Sequence, residues 1–375
     1  MPAIYLLIKP ASGNCNLRCR YCFYADEMEN RSFPSRGKME PAVMRAMIDR
    51  AWEYADGAVT FAFQGGEPTL AGLPYYRDFL SYVQTRQREK RLKVQYILQT
   101  NGTLLNEAWA DLFAAHHFLI GISLDGTKEL HDRYRVDPQG KGTYNRVMTA
   151  IRLLEKKGVT YNILTVVTGQ MAHSAGKVWN FFQKNHFAYQ QYIECLDPIG
   201  EEPGKRAYSL TPARYGEFLK TSFDCWYQEI KAGHFAYNRY FENLLLILSG
   251  QSPESCSMQG VCGRQWVIEA DGSVYPCDFY ALDAWRLGNV TEETFAEMAE
   301  RREKLAFVEV SREVPEACRV CRWYRLCRNG CRRLRETGAE GRYGCNYFCS
   351  AYREFFEYAY PRLEELYRML LLQKQ

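Results

Sequence analysis

Cys15, Cys19 and Cys22 stand at C-x3-C-x2-C spacing in the run Cys15-Asn16-Leu17-Arg18-Cys19-Arg20-Tyr21-Cys22, just after the apolar stretch Ile4–Ile8. A [4Fe–4S] cluster is held by four thiolates, so three from one tight loop leave one iron open to a small molecule. A zinc site asks for a fourth Cys or His close by, and after Cys22 none occurs before His116. Three inert buried cysteines, or half of a zinc site, remain the alternatives on spacing alone. A second group lies downstream: Cys262-x9-Gly272-x4-Cys277, then Cys318-x2-Cys321-x5-Cys327-x3-Cys331-x17-Cys349, with Cys256 upstream. Eight thiols suffice for two fully ligated clusters; a pair of zinc ribbons is the other reading. Fully ligated clusters have no vacant iron for a substrate and suit electron movement. Cys195, Cys225 and Cys345 are left over from the fourteen. The first two read as buried small hydrophobes, while Cys345 could compete with Cys349 as a ligand.

The elements that must position these thiols are legible from periodicity. Short apolar, β-branched runs predict strands near Ile4–Ile8, Val59–Gln64, Val94–Leu98, Phe118–Leu124, Tyr161–Val167 and Tyr189–Ile193. Amphipathic segments at Pro41–Tyr54, Tyr75–Gln87, Glu107–Ala115, Tyr144–Lys157 and Ala175–Asn185 alternate with them. This alternation implies parallel βαβ units, with strands apolar enough for burial on both faces. Six strands are too few for a closed eight-fold barrel, so an open (β/α)6 partial TIM barrel is expected. After Leu196-Asp197-Pro198 the stretch Ile199–Leu210 reads as a loop, and helices follow at about Pro212–Lys231 and Tyr237–Leu248. Cysteine density rises from Ser255, and an amphipathic helix spans Ala351–Leu372. The expected division is 1–235 for the barrel with its following helix, and 236–375 for a C-terminal iron–sulfur domain.

Composition narrows the class. A chain of 375 residues with 47% hydrophobic content can bury a large core, and a net charge of +4 does not call for nucleic acid. No stretch approaches a membrane span. The start MPAIYLLIKP lacks a basic n-region and a cleavage site. Many cysteines without a secretion signal point to metal rather than disulfides, and the expected compartment is the cytoplasm.

Two further stretches bear on chemistry. The second predicted strand runs into Phe63-Gln64-Gly65-Gly66-Glu67-Pro68, and the fourth into Ser123-Leu124-Asp125-Gly126. Both fall at carboxyl ends of strands, where such barrels place their sites, and a Gly-Gly pair lets a ligand approach the backbone. An ordinary Gly-Gly turn is the alternative. Asp278 directly follows Cys277 in Pro276-Cys277-Asp278-Phe279-Tyr280. A buried carboxylate beside an anionic cluster is expected to be raised toward neutrality, which suits a general base; a cap or Asx-turn is the plain reading. The segment Cys318–Arg335 holds seven arginines and no acid. Support of an anionic cluster is favoured there over nucleic acid, because aromatics do not interleave as a stacking platform.

The loop Cys15–Cys22, with Tyr21 before the third cysteine, resembles that of radical S-adenosylmethionine (SAM) enzymes, and the C-terminal cysteines resemble the SPASM pattern. With LLIKPASGNCNLRCRYCFY, FAFQGGEP, LQTNGT, DGSVYPCDFYALDAWRLGN and CRWYRLCRNGCRR, almost the whole chain resembles the anaerobic sulfatase-maturating enzymes. The resemblance implies S-adenosyl-L-methionine and three [4Fe–4S] clusters. Cys15, Cys19 and Cys22 would hold the first; Cys256, Cys262, Cys277 and Cys331 the second; Cys318, Cys321, Cys327 and Cys349 the third. It implies SAM contacts from Tyr21, Gly66, Ser123, Arg135 and Leu196, although Arg135 among Asp132, Arg133 and Asp137 also fits a solvated charge. The implied reaction converts a Ser or Cys of an unfolded sulfatase polypeptide to Cα-formylglycine. The adenosyl radical takes a Cβ hydrogen and Asp278 the heteroatom proton. An electron donor of flavodoxin or ferredoxin type is expected, with neither nucleic acid nor membrane as a partner. Tyr24, Gln64 and Gln99 are candidates to line the peptide cleft. The competing readings are a SPASM maturase forming thioether or carbon–carbon crosslinks, and an iron–sulfur electron carrier.

Overall fold

The computed structural model describes residues 3–335 and 344–372. Six strands pair in chain order and all in parallel: β1 (Ile4–Ile8), β2 (Ala58–Phe63), β3 (Lys93–Thr100), β4 (Leu119–Ser123), β5 (Tyr161–Val167) and β6 (Tyr189–Glu194). β1 and β6 do not pair, so the barrel stays open, as six βα units require. The connecting helices Pro41–Tyr54 and Glu107–Ala115 have the bounds their patterns predict. Pro41 opens the first at a position where its missing N–H costs nothing. Asn106 caps the second by accepting from Trp109 N at 3.2 Å.

Along β1, β3, β4 and β5, dry side chains alternate with side chains that are not. Leu6, Leu98, Ile122, Ile163 and Val167 are buried toward the helices, while the alternate residues Tyr5, Gln99, Ser123, Val166 and Gln191 border an internal cavity. Burial on both faces therefore does not hold along the whole of these strands. The lumen of an open barrel is a ligand space, not a third layer of core.

Four short strands widen the sheet to ten. β7 (Tyr237–Asn238) pairs in parallel with β6, so the segment expected to be helical from Tyr237 begins as strand. Asn238 then caps helix Arg239–Leu248, accepting from Tyr240 N at 3.1 Å. On the other edge β8 (Trp266–Ile268) pairs in parallel with β1, and β9 (Ser273–Tyr275) and β10 (Gly288–Asn289) follow antiparallel. This addition carries Cys277 and Asp278 to the mouth of the barrel.

The C-terminal helix Cys349–Leu372 packs on Pro212–Lys231. Phe223, Trp226, Phe241 and Phe355 interlock there with ring centroids 5.2–5.9 Å apart. Among the described residues no helix is long and apolar enough to cross a membrane.

Candidate active site

The loop after β1 is pinned from three sides. Lys9 N donates to Ile268 O at 2.8 Å, Arg18 N to Val136 O at 2.7 Å, and Glu67 N to Asn14 O at 2.8 Å. The thiols it carries receive donors: Leu17 N lies 3.4 Å and Asn101 Nδ2 3.9 Å from Cys15 Sγ, and Arg135 Nη1 lies 4.0 Å from Cys19 Sγ. Burial pushes the Cys15 thiol up to about 11 and the Cys19 thiol up to about 12, and Cys22 adds to both. Such thiols ionise only when a metal takes the place of the proton.

Gly66 has a role its sequence did not announce. Its φ is +52°, and a Cβ there would stand 2.3 Å from the Asn14 carbonyl oxygen and 2.7 Å from that of Ser12. The glycine lets the cysteine loop, as well as any ligand, approach. Glu67 fastens the same turn to the end of β3, accepting from Thr69 N, Thr69 Oγ1, Thr100 Oγ1 and Asn101 N at 2.7–3.1 Å. Asn101 Nδ2 in turn donates to Asn16 Oδ1 at 2.9 Å. The stretch LQTNGT is thereby tied to the cysteine loop.

Arg135 is buried rather than solvated. Its Nε donates to Asp125 Oδ2 at 2.9 Å, and the Tyr21 hydroxyl donates to the same oxygen. The guanidinium also faces the Tyr21 ring at 5.5 Å. Sequence reasoning passed over Asp125, although it stands beside Ser123 at the carboxyl end of β4. Tyr21, Gly66, Ser123, Arg135 and Leu196 all border one cavity of about 740 Å³, together with Cys15, Cys19 and Cys22.

Asp278 borders the same cavity. Its carboxylate is no cap: Oδ1 accepts from the buried ammonium of Lys9, and Oδ2 accepts from Gln64 Nε2 at 2.6 Å. Lys9 Nζ also sits 3.7 Å from the Tyr24 ring centroid. Lys9 was missed; the available signal was a lysine one residue beyond the apolar run of β1, on the ligand end. Tyr24, Gln64 and Gln99 line the cavity. The Tyr24 hydroxyl, however, donates to Glu269, which is also paired with Arg31 at 2.7 Å. Phe23 and Phe279 meet edge to face at 4.9 Å and fix the Asp278 turn on the helix that follows Cys22.

The remaining thiols fall into two groups. Cys277, pushed well above its ordinary range by burial, also feels Cys331 and Cys262, and Cys331 feels Cys256 and Cys262. Cys256, Cys277's neighbour Asp278, and Cys331 face the cavity. Burial raises Cys318 to about 12, with further contributions from Cys345, Cys327 and Cys349, and Cys327 feels Cys349 and Cys321. Cys345 Sγ stands 3.7 Å from Cys318 Sγ, so this second group holds five thiols. Cys195 is buried at the edge of the same cavity, and Cys225 is half-buried. Among the described residues no three His, Cys, Asp or Glu side chains converge as a single ion requires. The three groups hold three, four and five cysteines, and thiolates are the ligands that iron–sulfur clusters take.

Residues 10–178 match the Radical SAM superfamily, and residues 256–322 match SPASM, an iron–sulfur cluster-binding domain. The cysteine-type anaerobic sulfatase-maturating enzyme of Clostridium perfringens is 47% identical over 364 residues, 97% of this chain and 98% of that protein. The chain belongs to the anaerobic sulfatase-maturating enzymes. A serine-type family member from Bacteroides thetaiotaomicron is 30% identical over 392 residues, 99% of this chain and 93% of that one. The solved structure of native anSMEcpe with bound AdoMet and Cp18Cys peptide superposes with a TM-score of 0.93 at 45% identity, covering 98% of this chain and all of that one. Family membership makes this a radical SAM oxidoreductase of sulfatase maturation that uses SAM and iron–sulfur clusters.

Proposed function

We propose that the chain oxidises a cysteine in an unfolded sulfatase polypeptide to Cα-formylglycine, with serine as the weaker substrate. The greater identity to a cysteine-type relative than to a serine-type one supports the choice of target. In this reading residues 1–235 form the SAM site and residues 236–375 carry two auxiliary [4Fe–4S] clusters, for three clusters in all. Cys15, Cys19 and Cys22 hold the first. Cys256, Cys262, Cys277 and Cys331 hold the second, and Cys318, Cys321, Cys327 and Cys349 the third. Tyr21, Gly66, Ser123, Arg135 and Leu196 contact SAM. Bound there, SAM and the clusters supply a hydrogen-abstracting 5′-deoxyadenosyl radical and a sink for one electron. A flavodoxin- or ferredoxin-type protein is the electron donor.

The observation that carries this reading is Asp278, whose carboxylate faces the same cavity as Cys15, Cys19 and Cys22. The substrate Cβ loses a hydrogen atom, Asp278 Oδ takes the thiol proton, and one electron departs. The resulting thioaldehyde adds water and releases hydrogen sulfide. Lys9 and Gln64 hold the carboxylate in the cavity wall, where a base has to stand to reach a bound peptide. Asn101 and Glu67 keep the cysteine loop in register with the SAM wall.

The test is to mix reduced enzyme, SAM and a cysteine-containing sulfatase peptide without oxygen, then weigh the product and treat it with a hydrazine. Formylglycine loses two hydrogens, exchanges sulfur for oxygen and forms the hydrazone. A product that gives no hydrazone refutes the assignment and points to crosslinking.

A further inference from the structure

The seven arginines of Cys318–Arg335 divide into two kinds. Arg332 and Arg335 are buried; Arg332 donates to Phe307 O at 2.9 Å, and Arg335 to Ser311 O at 2.8 Å and Gly330 O at 2.6 Å. Half-buried Arg333 donates to Asp197 O at 3.2 Å. These three tie backbone together around Cys331 and account for the support role expected of the segment. The other four do not. Arg319, Arg322 and Arg325 are exposed, and Arg328 is half-buried.

We propose that this outer face is the docking site for an acidic one-electron carrier protein, a low-potential flavoprotein or iron–sulfur protein. The proposal rests on the formylglycine reading above. Val320 is 78% exposed, the most open large apolar side chain among the described residues, and it lies between Cys318 and Cys321. Arg319 and Arg322 flank it. Arg325 and Arg328 bracket Cys327 and join Arg312 and Tyr324 around an open cup of about 370 Å³. An apolar centre among arginines, three of them paired only with the exposed carboxylates of Glu309, Glu316 and Glu357, is the anatomy of a steered, transient interface.

The charge on this face is available. Arg319 pairs with Glu316 at 3.8 Å and Arg322 with Glu357 at 3.5 Å, all four exposed, and such pairs contribute little and exchange partners readily. Among the described residues Arg325 and Arg328 have no carboxylate partner. Carboxylates of a partner can therefore enter the cup without first breaking a buried ion pair. Nucleic acid fits less well, since Trp323 is buried and offers no stacking face.

Chemistry says why a carrier belongs here. Each oxidation removes one hydrogen atom, one proton and one electron from the substrate; the proton rests on Asp278, and the electron needs an acceptor. None of Cys318, Cys321, Cys327 and Cys349 borders the substrate cavity. Of the three thiol groups this one lies directly under an exposed, cationic, apolar-centred surface. The oxidised carrier docked on it takes up one electron and leaves singly reduced.

The experiment measures binding of a purified, acidic, oxidised flavodoxin to the holoenzyme by titration calorimetry at low and physiological salt. The Arg325→Glu/Arg328→Glu double variant and, separately, Val320→Asp should each raise Kd by at least about tenfold, the steering term of an interface of this kind. The salt dependence of the double variant should be flatter than that of the wild type. Arg20→Glu, on the exposed part of the first cysteine loop, should leave Kd unchanged. No wild-type binding, an unchanged Kd in both outer-face variants, or a loss seen with Arg20→Glu instead overturns the proposal. So does a double variant that loses only the binding of a short RNA. Iron content of each variant is measured alongside. Peptide oxidation with dithionite as reductant reports separately on the formylglycine reading and should match the wild type in the double variant.

Discussion

Lys9 and Asp278, separated by 269 residues in the chain, meet as a buried ion pair at the mouth of the barrel. β8 makes the meeting possible: it pairs with β1, and Lys9 N continues the ladder to Ile268 O. The ammonium has the Tyr24 ring on one side and is wholly enclosed. Lys9→Met keeps the stem and removes the charge, leaving a buried carboxylate without its counter-ion. The expected cost is about 3–5 kcal/mol of stability, read by anaerobic urea unfolding of the holoenzyme. A cost under about 1 kcal/mol would mean that solvent already screens the pair.

Asp278→Asn keeps the shape of the side chain and its contact with Gln64, and removes the basicity. The variant should retain its iron and its affinity for SAM, and still produce 5′-deoxyadenosine. Aldehyde on the peptide, counted as hydrazone, should fall by at least about a hundredfold, the scale of losing a general base. Wild-type aldehyde yield from this variant would remove Asp278 from the chemistry.

Most of the barrel could be read from the chain because its strands are long enough to show their pattern. The bounds of β1 and β5 and of helices Pro41–Tyr54, Glu107–Ala115 and Pro212–Lys231 agree with periodicity and caps. Spacing alone did not show how the thiols group, since Cys331 follows Cys327 closely in the chain yet stands near Cys277 and Cys262 in the fold. β7 to β10 were not legible, since two or three residues carry no alternation. The partners they bring together were therefore hidden, Lys9 with Asp278 first among them. Gly66 shows a subtler limit. Its type announced a close approach, but only the fold shows that the carbonyls of Ser12 and Asn14 approach it.

His131 is held neutral. Its Nδ1 accepts from Asp125 N at 3.3 Å, and Nε2 lies 2.9 Å from Thr143 Oγ1, which itself donates to Arg135 O. Burial lowers its pKa from 6.5 to about 4. A lowered histidine means that the unfolded chain binds the proton first, so stability is complete above the unfolded value and declines as pH falls from 6.5 toward 4. About 2 kcal/mol should be lost by about pH 5. His131→Gln, which does not titrate, should flatten the difference between unfolding curves at the two pH values. An unchanged pH slope in that variant would assign the acid sensitivity elsewhere.

Gly66→Val tests the close approach of the two loops. Its Cβ would need the space of two backbone carbonyls, and φ at this residue is in the left-handed region. Displacing the Cys15–Cys22 loop should cost the first cluster as well as SAM affinity. Anaerobically prepared protein should lose about a third of its iron, one cluster of three. Full iron with weakened SAM binding would mean that the loop can yield and that the glycine serves the ligand alone.

Cys345 decides how the second auxiliary group should be counted. Its sulfur is 3.7 Å from that of Cys318, and both Cys318 and Cys349 feel its charge, so five thiols stand where the proposed cluster takes four. Cys349 opens the long C-terminal helix, which is anchored through Phe355 and Arg362 on helix Pro212–Lys231. Cys345 belongs to an irregular segment that is itself tied down, since Gly344 O accepts from Asn329 Nδ2 at 3.2 Å and Asn346 N donates to Asn329 Oδ1 at 2.8 Å. Both thiols are therefore held in place, and we propose the helix-borne Cys349 as the ligand. The expected total is about twelve irons in the wild type and in Cys345→Ala, and about eight in Cys349→Ala. If Cys345→Ala loses about four irons while Cys349→Ala keeps them, the ligand set of this cluster must be rewritten.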